Sequence, residues 1–386
     1  MTIDLRHKSH FVNIRTVFET LLFVFLCVIS LPQQVHATIN NNDTSETANH
    51  LIGDTECVWG DPDCNPCVYE VEDNFYHISD NNGNPTGHTQ LRIEASDDSG
   101  ELMCQYSDPC ELTAFYQHIQ GIGRIPNVDE NNWFVFTRSI RGGPGAFFAG
   151  QMTDLPSAGG HLGSATNEDD SARQITEYYL MDALTPGDTA LNHYGGLQML
   201  GKHMVTGTEC YEPGDYDCYG IDPNMAYIYD FSDPSNVSVA VALDIEAMGL
   251  GVGKAVAATK LYNGNYLLVV HDGHLNFILS ETDTLDTSTT WYQGDEWSSS
   301  SLIDGGAGNS NWGDYQNINI VNECETGDIY MIGTYRNDNN EDWMTLMRFE
   351  ENEDSLVVGY KIAQKHMYCE WCNFSGTGNI YITPER

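Results

Sequence analysis

The amino-acid sequence predicts an all-β fold, and three observations support this. Short runs rich in β-branched and aromatic residues alternate with clusters of Gly, Asn, Asp, Pro and Ser, as in antiparallel strands joined by turns. Helical patterns are scarce: only parts of DDSARQITEYYLMDAL and DIEAMGLGVGKAVAATK are candidates, and glycines interrupt the second. A weak internal repeat arranges the strand-like runs into similar units, which favours a fold built from repeated sheets.

The first 37 residues predict an export signal. Basic residues Arg6, Lys8 and Arg15 precede the apolar run LLFVFLCVISL, and the small-residue end VHA follows. A retained anchor is the alternative interpretation, but the run is shorter than the roughly 18 apolar residues of a spanning helix. We therefore expect a secreted, periplasmic or cell-surface protein with no membrane span after the signal. Residues 38–56 predict a flexible leader, and residues 57–386 a single domain.

The cysteines predict a disulfide-braced chain. Of 11 cysteines, Cys27 lies in the signal, and the even remainder in an oxidising compartment is most simply five disulfides. Spacing suggests the local pairs Cys104–Cys110 and Cys210–Cys218. The other six divide between the two ends of the chain and predict bridges joining those ends: Cys57, Cys64, Cys67, Cys324, Cys369 and Cys372. A redox or zinc role for the two CxxC pairs is the alternative.

The formal net charge of −40 limits the classes of partner. Such a surface repels nucleic acids and anionic membranes, whose binding depends on Lys and Arg. Abundant carboxylates make calcium a possible cofactor. Two oxygen-rich loops, DNNGNPTG from Asp80 and RNDNNEDW from Arg336, are candidates, although neither has the spacing of an EF-hand and such residues also fill ordinary turns.

The repeat predicts a β-propeller. Similar segments begin at His118, His193, Gly251 and Asp314, each with a polar start, an alternating apolar strand, a turn and a second strand. A shorter echo, CNFSGTGNIYITP, closes the chain, and a segment from Gly87 is a further candidate. The units resemble four-stranded blades with long loop insertions, which gives five blades, or six if the Gly87 segment counts separately. A two-sheet sandwich is the alternative.

Polar residues at the start of each unit predict a site. In a propeller the first strand of every blade lines the central axis, so these side chains converge at one mouth. We expect catalytic roles for His118, His193 and Asp314 if the protein is an enzyme. Ligand-binding roles are expected for Gln120, Arg124, Gln198, Lys254, Trp312 and Gln316. The alternative is that these groups satisfy one another and buried water.

Four phrases, HIQGIGRIP, WFVFTRS, HYGGLQMLG and YIYDFSDPSN, resemble segments of exported bacterial and fungal β-propeller-like proteins of undefined activity. The resemblance covers residues 115–350 and implies the fold without a catalytic assignment. Aromatic residues in a long insertion, Trp312 among them, favour a saccharide ligand. We expect a monomeric module that binds a glycan or small polar molecule; the alternatives are a polysaccharide lyase or glycoside hydrolase, or a structural surface protein.

Overall fold

The computed structural model describes residues 27–29, 51–58, 61–78, 92–93, 117–126, 132–140, 146–152, 161–162, 175–179, 193–209, 224–234, 236–250, 255–271, 275–292, 302–303, 315–351, 357–367 and 379–382. Among these residues there are twenty-one strands and one helix, so the predicted all-β class is confirmed. The sheet surface is curled like half of a barrel. No helix in the described part of the chain is long and apolar enough to cross a bilayer.

The helix is α1 (Val71–His77). The strands, in chain order, are β1 (Cys27–Ile29), β2 (Arg92–Ile93), β3 (Gln117–Ile125), β4 (Asn132–Ile140), β5 (Ala146–Met152), β6 (His161–Leu162), β7 (Ile175–Tyr179), β8 (His193–Leu200), β9 (His203–Glu209), β10 (Met225–Asp230), β11 (Ser238–Asp244), β12 (Ala255–Lys260), β13 (Tyr266–His271), β14 (Leu275–Ser280), β15 (Trp291–Tyr292), β16 (Leu302–Ile303), β17 (Asn317–Asn322), β18 (Ile329–Arg336), β19 (Asp342–Glu351), β20 (Val357–Met367) and β21 (Ile380–Ile382).

Four antiparallel meanders of four strands organise these elements. Meander I contains β3, β4, β5 and β7, meander II β8 to β11, meander III β12 to β15, and meander IV β17 to β20. Meanders II and III form one eight-stranded sheet through β8 and β12. Short strands extend meanders I and IV, since β6 pairs with β5 and β16 with β20, and β1 forms a separate two-stranded sheet with β21. Since β1 lies within the predicted export signal, a cleaved chain would leave β21 without this neighbour.

The first strands of the meanders, β3, β8, β12 and β17, pack against one another in the same direction. β8 and β12 are parallel, with Gly196 opposite Ala255. A methyl group added to Gly121 of β3 would lie 2.8 Å from the Leu197 nitrogen of β8. Gly196 also donates its N–H to the Gln316 carbonyl, just before β17, at 3.1 Å. All four strands therefore begin at one end of the molecule, the upper end, and finish at the other, the lower end.

The last strand lies between the first strands of meanders IV and I. The Nδ2 of Asn379, the residue before β21, donates a hydrogen bond to the Ile122 carbonyl of β3. The Ile380 N–H approaches Asn319 Oδ1 of β17 at 3.4 Å. β21 therefore contacts both β17 and β3, and we call the common direction of the first strands the axis.

Successive meanders enclose hydrophobic cores between their faces. Aromatic and aliphatic side chains fill all three interfaces: Phe147, Tyr194 and Phe231 between I and II; Val205, Ile228 and Leu268 between II and III; Phe277, Ile318 and Phe349 between III and IV. Because each sheet buries both faces, its strands read as nearly continuous apolar runs, as in YLLVVH.

An N-terminal strap, residues 51–58 and 61–78, crosses the lower end. Its backbone hydrogen-bonds to three lower turns: Gly53 N–H to the Gly327 carbonyl at 2.8 Å, Asp54 N–H to the Lys260 carbonyl at 2.9 Å, and Lys202 N–H to the Pro62 carbonyl at 2.7 Å. Residues 51–56, which the sequence assigned to the leader, thus already belong to the strap. The strap joins meanders II, III and IV at their lower ends.

Two disulfides hold the strap. Cys67 bonds to Cys324 across a sequence separation of 257, which confirms the prediction of a bridge between the chain ends. Cys57 bonds instead to Cys64, seven residues away, so the expectation that every N-terminal cysteine reaches the C-terminal part is wrong. Between these two cysteines the Val58 N–H donates to Asp61 Oδ2. The other predicted pairs lie outside the described residues.

Helix α1 belongs to the strap and was not predicted. It buries Val71, Phe75 and Ile78, spaced along one helical face, against the outer face of meander IV. Conversely, Ile175–Tyr179 in the predicted helical stretch is strand β7, and Ala255–Lys260 in the other is β12. The β-branched and aromatic sequence ITEYY suits a strand that pairs with β5 over five residues.

The buried histidine His203, at the start of β9, lies close to the strap. His203 is 6% exposed, and its Nδ1 lies 3.6 Å from Asp63 Oδ1. Burial lowers the pKa of His203, although the carboxylates of Asp63 and Asp230 act in the opposite direction and Lys202 adds to the lowering. The neutral form of the His203 imidazole is therefore more favoured in the folded protein than in the unfolded chain.

The lowered pKa gives a testable pH dependence. Below about pH 6.5, the unfolded chain binds a proton on His203 before the folded protein does, so stability must fall as the pH decreases. We expect this residue to contribute a slope of at most about 1.4 kcal/mol per pH unit just below about pH 6.5. Urea unfolding of the wild type and His203→Gln checks this: equal slopes for the two proteins would contradict it.

Candidate functional site

The upper end brings two predicted site residues together. Gln120 Nε2 and His193 Nε2 lie 2.9 Å apart, which joins β3 to β8 by a side-chain hydrogen bond. Both strands have a bulge here, since the register shifts at Gln120 and again between Tyr194 and Leu197. Bulges redirect side chains out of the regular alternation. Gln120 is therefore buried at the axis while His193 is half-buried at the strand start.

Asn317, on β17, is fully buried next to Gly196 of β8. A methyl group added to Gly196 would lie 2.7 Å from Asn317 Cβ, so the asparagine packs directly on the glycine backbone of β8. Neither Asn317 Nδ2 nor Oδ1 has a hydrogen-bond partner among the described residues. Gly196 is three residues from His193, about 10 Å along a strand. We call Gln120, His193 and Asn317 the upper cluster.

The buried amide of Asn317 is unusual because buried polar groups are normally hydrogen-bonded. An unsatisfied buried donor or acceptor costs about 1–3 kcal/mol. The cross-strand neighbour Thr334 is also buried, and its hydroxyl likewise has no partner within the described ranges. Among the described residues, Asn317 and Thr334 thus place donors and acceptors without partners on neighbouring strands.

Gln198 closes the axis below the upper cluster. Its Oε1 accepts hydrogen bonds from the Ala258 and Ile320 N–H groups, both at 3.1 Å, and its Nε2 donates to the Ile320 carbonyl at 2.9 Å. A single amide therefore joins the first strands of meanders II, III and IV. All three bonds go to backbone groups, so the ligand-binding role that we predict for Gln198 has no support from its contacts.

Arg124 lies at the opposite end of the axis from His193. It lines a cleft together with the strap residues Asp61 and Asn65, and with Asn319 and Asn379. Arg124 follows Gln120 by four positions on β3, which corresponds to about 13 Å along a strand. The predicted ring of site residues is therefore divided between two ends, with Gln198 between them.

The structure describes the remaining predicted site residues only in part. The side chain of His118 and the whole of Lys254, Trp312 and Asp314 lie outside the described residues, so their roles stay predictions. Gln316 is half-buried, and its backbone connects β8 to β18 by accepting from Gly196 and donating to the Thr334 carbonyl at 3.1 Å.

The described residues give little support for a metal site. The closest group of potential ligands is Asp54, Cys57 and Cys64, but the two cysteines are bonded to each other. In the loop from Arg336, Asn337 Oδ1 accepts the N–H groups of Asn339 and Glu341, which stabilises the hairpin turn. That oxygen serves the turn, as the alternative interpretation of this loop expects. The loop from Asp80 lies outside the described residues.

The asparagines of the axis were missed at the sequence level. Asn317 and Asn319 alternate on β17, in NINIVN, and Asn379 precedes β21. Asparagine is uncommon within strands, and two of them at a spacing of two on an otherwise apolar strand indicate one polar, buried face. This pattern is the signal that would have found them.

No family model matches the chain, and no curated protein matches it. The functional inference therefore depends on the side chains at the two ends of the axis.

Proposed function

We propose that the protein is an exported, five-bladed β-propeller that binds a neutral, hydroxyl-rich ligand, such as the end of a glycan, at its upper end. The observation that carries this proposal is the fully buried Asn317 amide, which has no partner among the described residues and packs on Gly196, three residues after His193. The protein acts as a binding module, and its upper cluster supplies the polar contacts.

The chemistry of the upper cluster favours hydroxyl groups. An asparagine side chain offers both donor and acceptor groups, whereas His193 already uses its Nε2 in the bond with Gln120. A sugar hydroxyl also donates and accepts, so it complements both groups. The net charge of −40 disfavours an anionic ligand at this end. A neutral saccharide therefore fits better than a phosphate or sulfate ester.

The contacts of the first strands support the propeller. Each four-stranded meander begins and ends at the upper end, so the connections to the next meander, residues 180–192, 245–254 and 293–316, all leave from there. Several turns at the lower end are short, such as residues 201–202 and 261–265. Long connections at one end of a propeller commonly carry function. β21, between β17 and β3, supplies the fifth blade, and the disulfides fit an extracellular location.

Glycan binding tests the proposal directly. The secreted chain is screened on a glycan array and the best ligand is titrated by calorimetry. Asn317→Ala and His193→Ala are each expected to weaken binding by 10-fold or more, because each removes about 1.5 kcal/mol or more of polar contact. His366→Ala on β20, a half-buried histidine away from the axis, is the matched control and should bind as the wild type does.

Other outcomes of the same assay are decisive. No glycan bound by the wild type, or equal binding by all three variants, would reject the upper cluster as the site. Release of reducing ends from polysaccharide would favour the enzyme alternative. Repeating the titration with a chelator tests the calcium that the sequence suggests: unchanged affinity would remove it as a cofactor.

A further inference from the structure

The lower cleft holds a second group of polar side chains. It lies between strap residues 61–66 and the lower parts of β3, β8 and β17, with β21 at its side. Gln198 and the backbone contact of Gly196 with Gln316 separate it from the upper cluster. A ligand in this lower cleft would therefore occupy a different site from the ligand at the upper end.

The cleft presents one buried amide donor that lacks a partner within the described ranges. Asn319 is 2% exposed, lines the cleft, and its Nδ2 has no hydrogen-bond partner among the described residues. The other two asparagines use their Nδ2 groups on backbone carbonyls: Asn65 donates to Met199 at 2.6 Å, and Asn379 donates to Ile122. Asn319 is thus the amide donor left for a ligand.

Two amide oxygens in the same cleft are already used. Asn65 Oδ1 accepts the Gly201 N–H at 3.0 Å, and Asn379 Oδ1 accepts the Ile380 N–H at 2.7 Å. Arg124 adds a half-buried guanidinium, which only donates. A ligand that only accepts hydrogen bonds therefore matches the donors of Asn319 and Arg124. Water matches them less well, because its own two hydrogens also need acceptors.

The size of the cleft restricts the ligand further. Its cavity volume is about 30 Å³, whereas one water needs roughly 10–15 Å³ by the same measure. There is room for one small ion and none for a sugar ring. We propose that the lower cleft binds a small monovalent anion of the halide class, with Asn319 Nδ2 and Arg124 as its ligands.

Asp61 sets the conditions under which this anion binds. Its Oδ2 accepts the Val58 N–H at 2.9 Å within the strap, and its carboxylate also lines the cleft. Together with the net charge of −40, this carboxylate repels an anion at low ionic strength. Salt screens that repulsion, because the Debye length is about 3 Å at 1 M. The anion therefore binds in saline media, and it ties the strap to the axis.

Thermal unfolding at constant ionic strength tests the site. Sodium chloride is substituted for sodium gluconate, whose anion is too large for the cleft. The wild type is expected to gain about 2 °C in Tm at 0.5 M chloride, because the anion binds only the folded protein. Asn319→Leu and Arg124→Gln should abolish this gain. Asn276→Leu, which removes another buried Nδ2 without a partner, on β14, should keep it.

Bromide-soaked crystals of the wild-type protein give an answer that does not depend on the variants folding. An anomalous peak within hydrogen-bond distance of Asn319 Nδ2 is the expected result. A peak-free cleft, or identical Tm values in chloride and gluconate, would overturn the proposal. Neither result affects glycan binding at the upper cluster.

Discussion

Replacing both Cys67 and Cys324 with serine is expected to lower the free energy of unfolding by about 5 kcal/mol, because this bridge closes a loop of most of the chain. The sequence separation is 257, so the unfolded chain loses much conformational freedom when the bond is present. The strap also depends on this bond to keep Val68 paired with Glu323 and Asn322. Guanidinium unfolding of the double variant measures the loss.

The local disulfide is the matched control. Cys57 and Cys64 are separated by only seven residues, so the same loop-entropy relation gives about 2 kcal/mol for Cys57→Ser with Cys64→Ser. The long bridge must therefore matter more than the short one. Equal losses for the two double variants, or a larger loss for the local pair, would show that the strap does not connect the ends of the fold in the way described.

Gln198→Met is expected to cost about 3 kcal/mol or more, because it leaves buried backbone groups on two other strands without partners. The N–H groups of Ala258 and Ile320 and the Ile320 carbonyl would lose their bonds to this side chain. Methionine keeps the length of the side chain, so the loss is mainly one of hydrogen bonding.

Gln364→Met on the outer strand β20 provides the comparison. This half-buried glutamine bonds to two side chains, Lys361 at 2.5 Å and Tyr335 at 2.6 Å, and to no first strand. We expect a loss of about 1 kcal/mol, as for ordinary hydrogen bonds. Urea unfolding of both variants gives the two values. A Gln198 variant no less stable than the Gln364 variant would show that the first strands do not depend on this amide.

Much of the fold is predictable because strand patterns and repeats are local features of the sequence. The repeat units from His118, His193, Gly251 and Asp314 begin where four meanders begin. The cross-link between chain ends followed from the positions of the cysteines. Helix α1 was missed because seven residues give almost no periodicity, and its stability depends on packing against meander IV.

The site was less predictable because a repeat alignment does not fix the position of a side chain along the axis. Gln120 and Arg124 both lie on β3, but they lie at opposite ends of the axis. Two bulges, one at Gln120, decide which side chains face the axis, and a bulge has no reliable sequence signature here. Asn317 follows the predicted Gln316 by one residue, and it could be identified only when the strand pairing of β17 was known.

The measurement that tests the central claim most directly is a crystal structure of the secreted chain with its glycan. We expect five sheets around one axis, β21 between β17 and β3, and a sugar hydroxyl hydrogen-bonded to the Asn317 amide. Two stacked sheets, or a sugar bound away from Asn317 and His193, would contradict it.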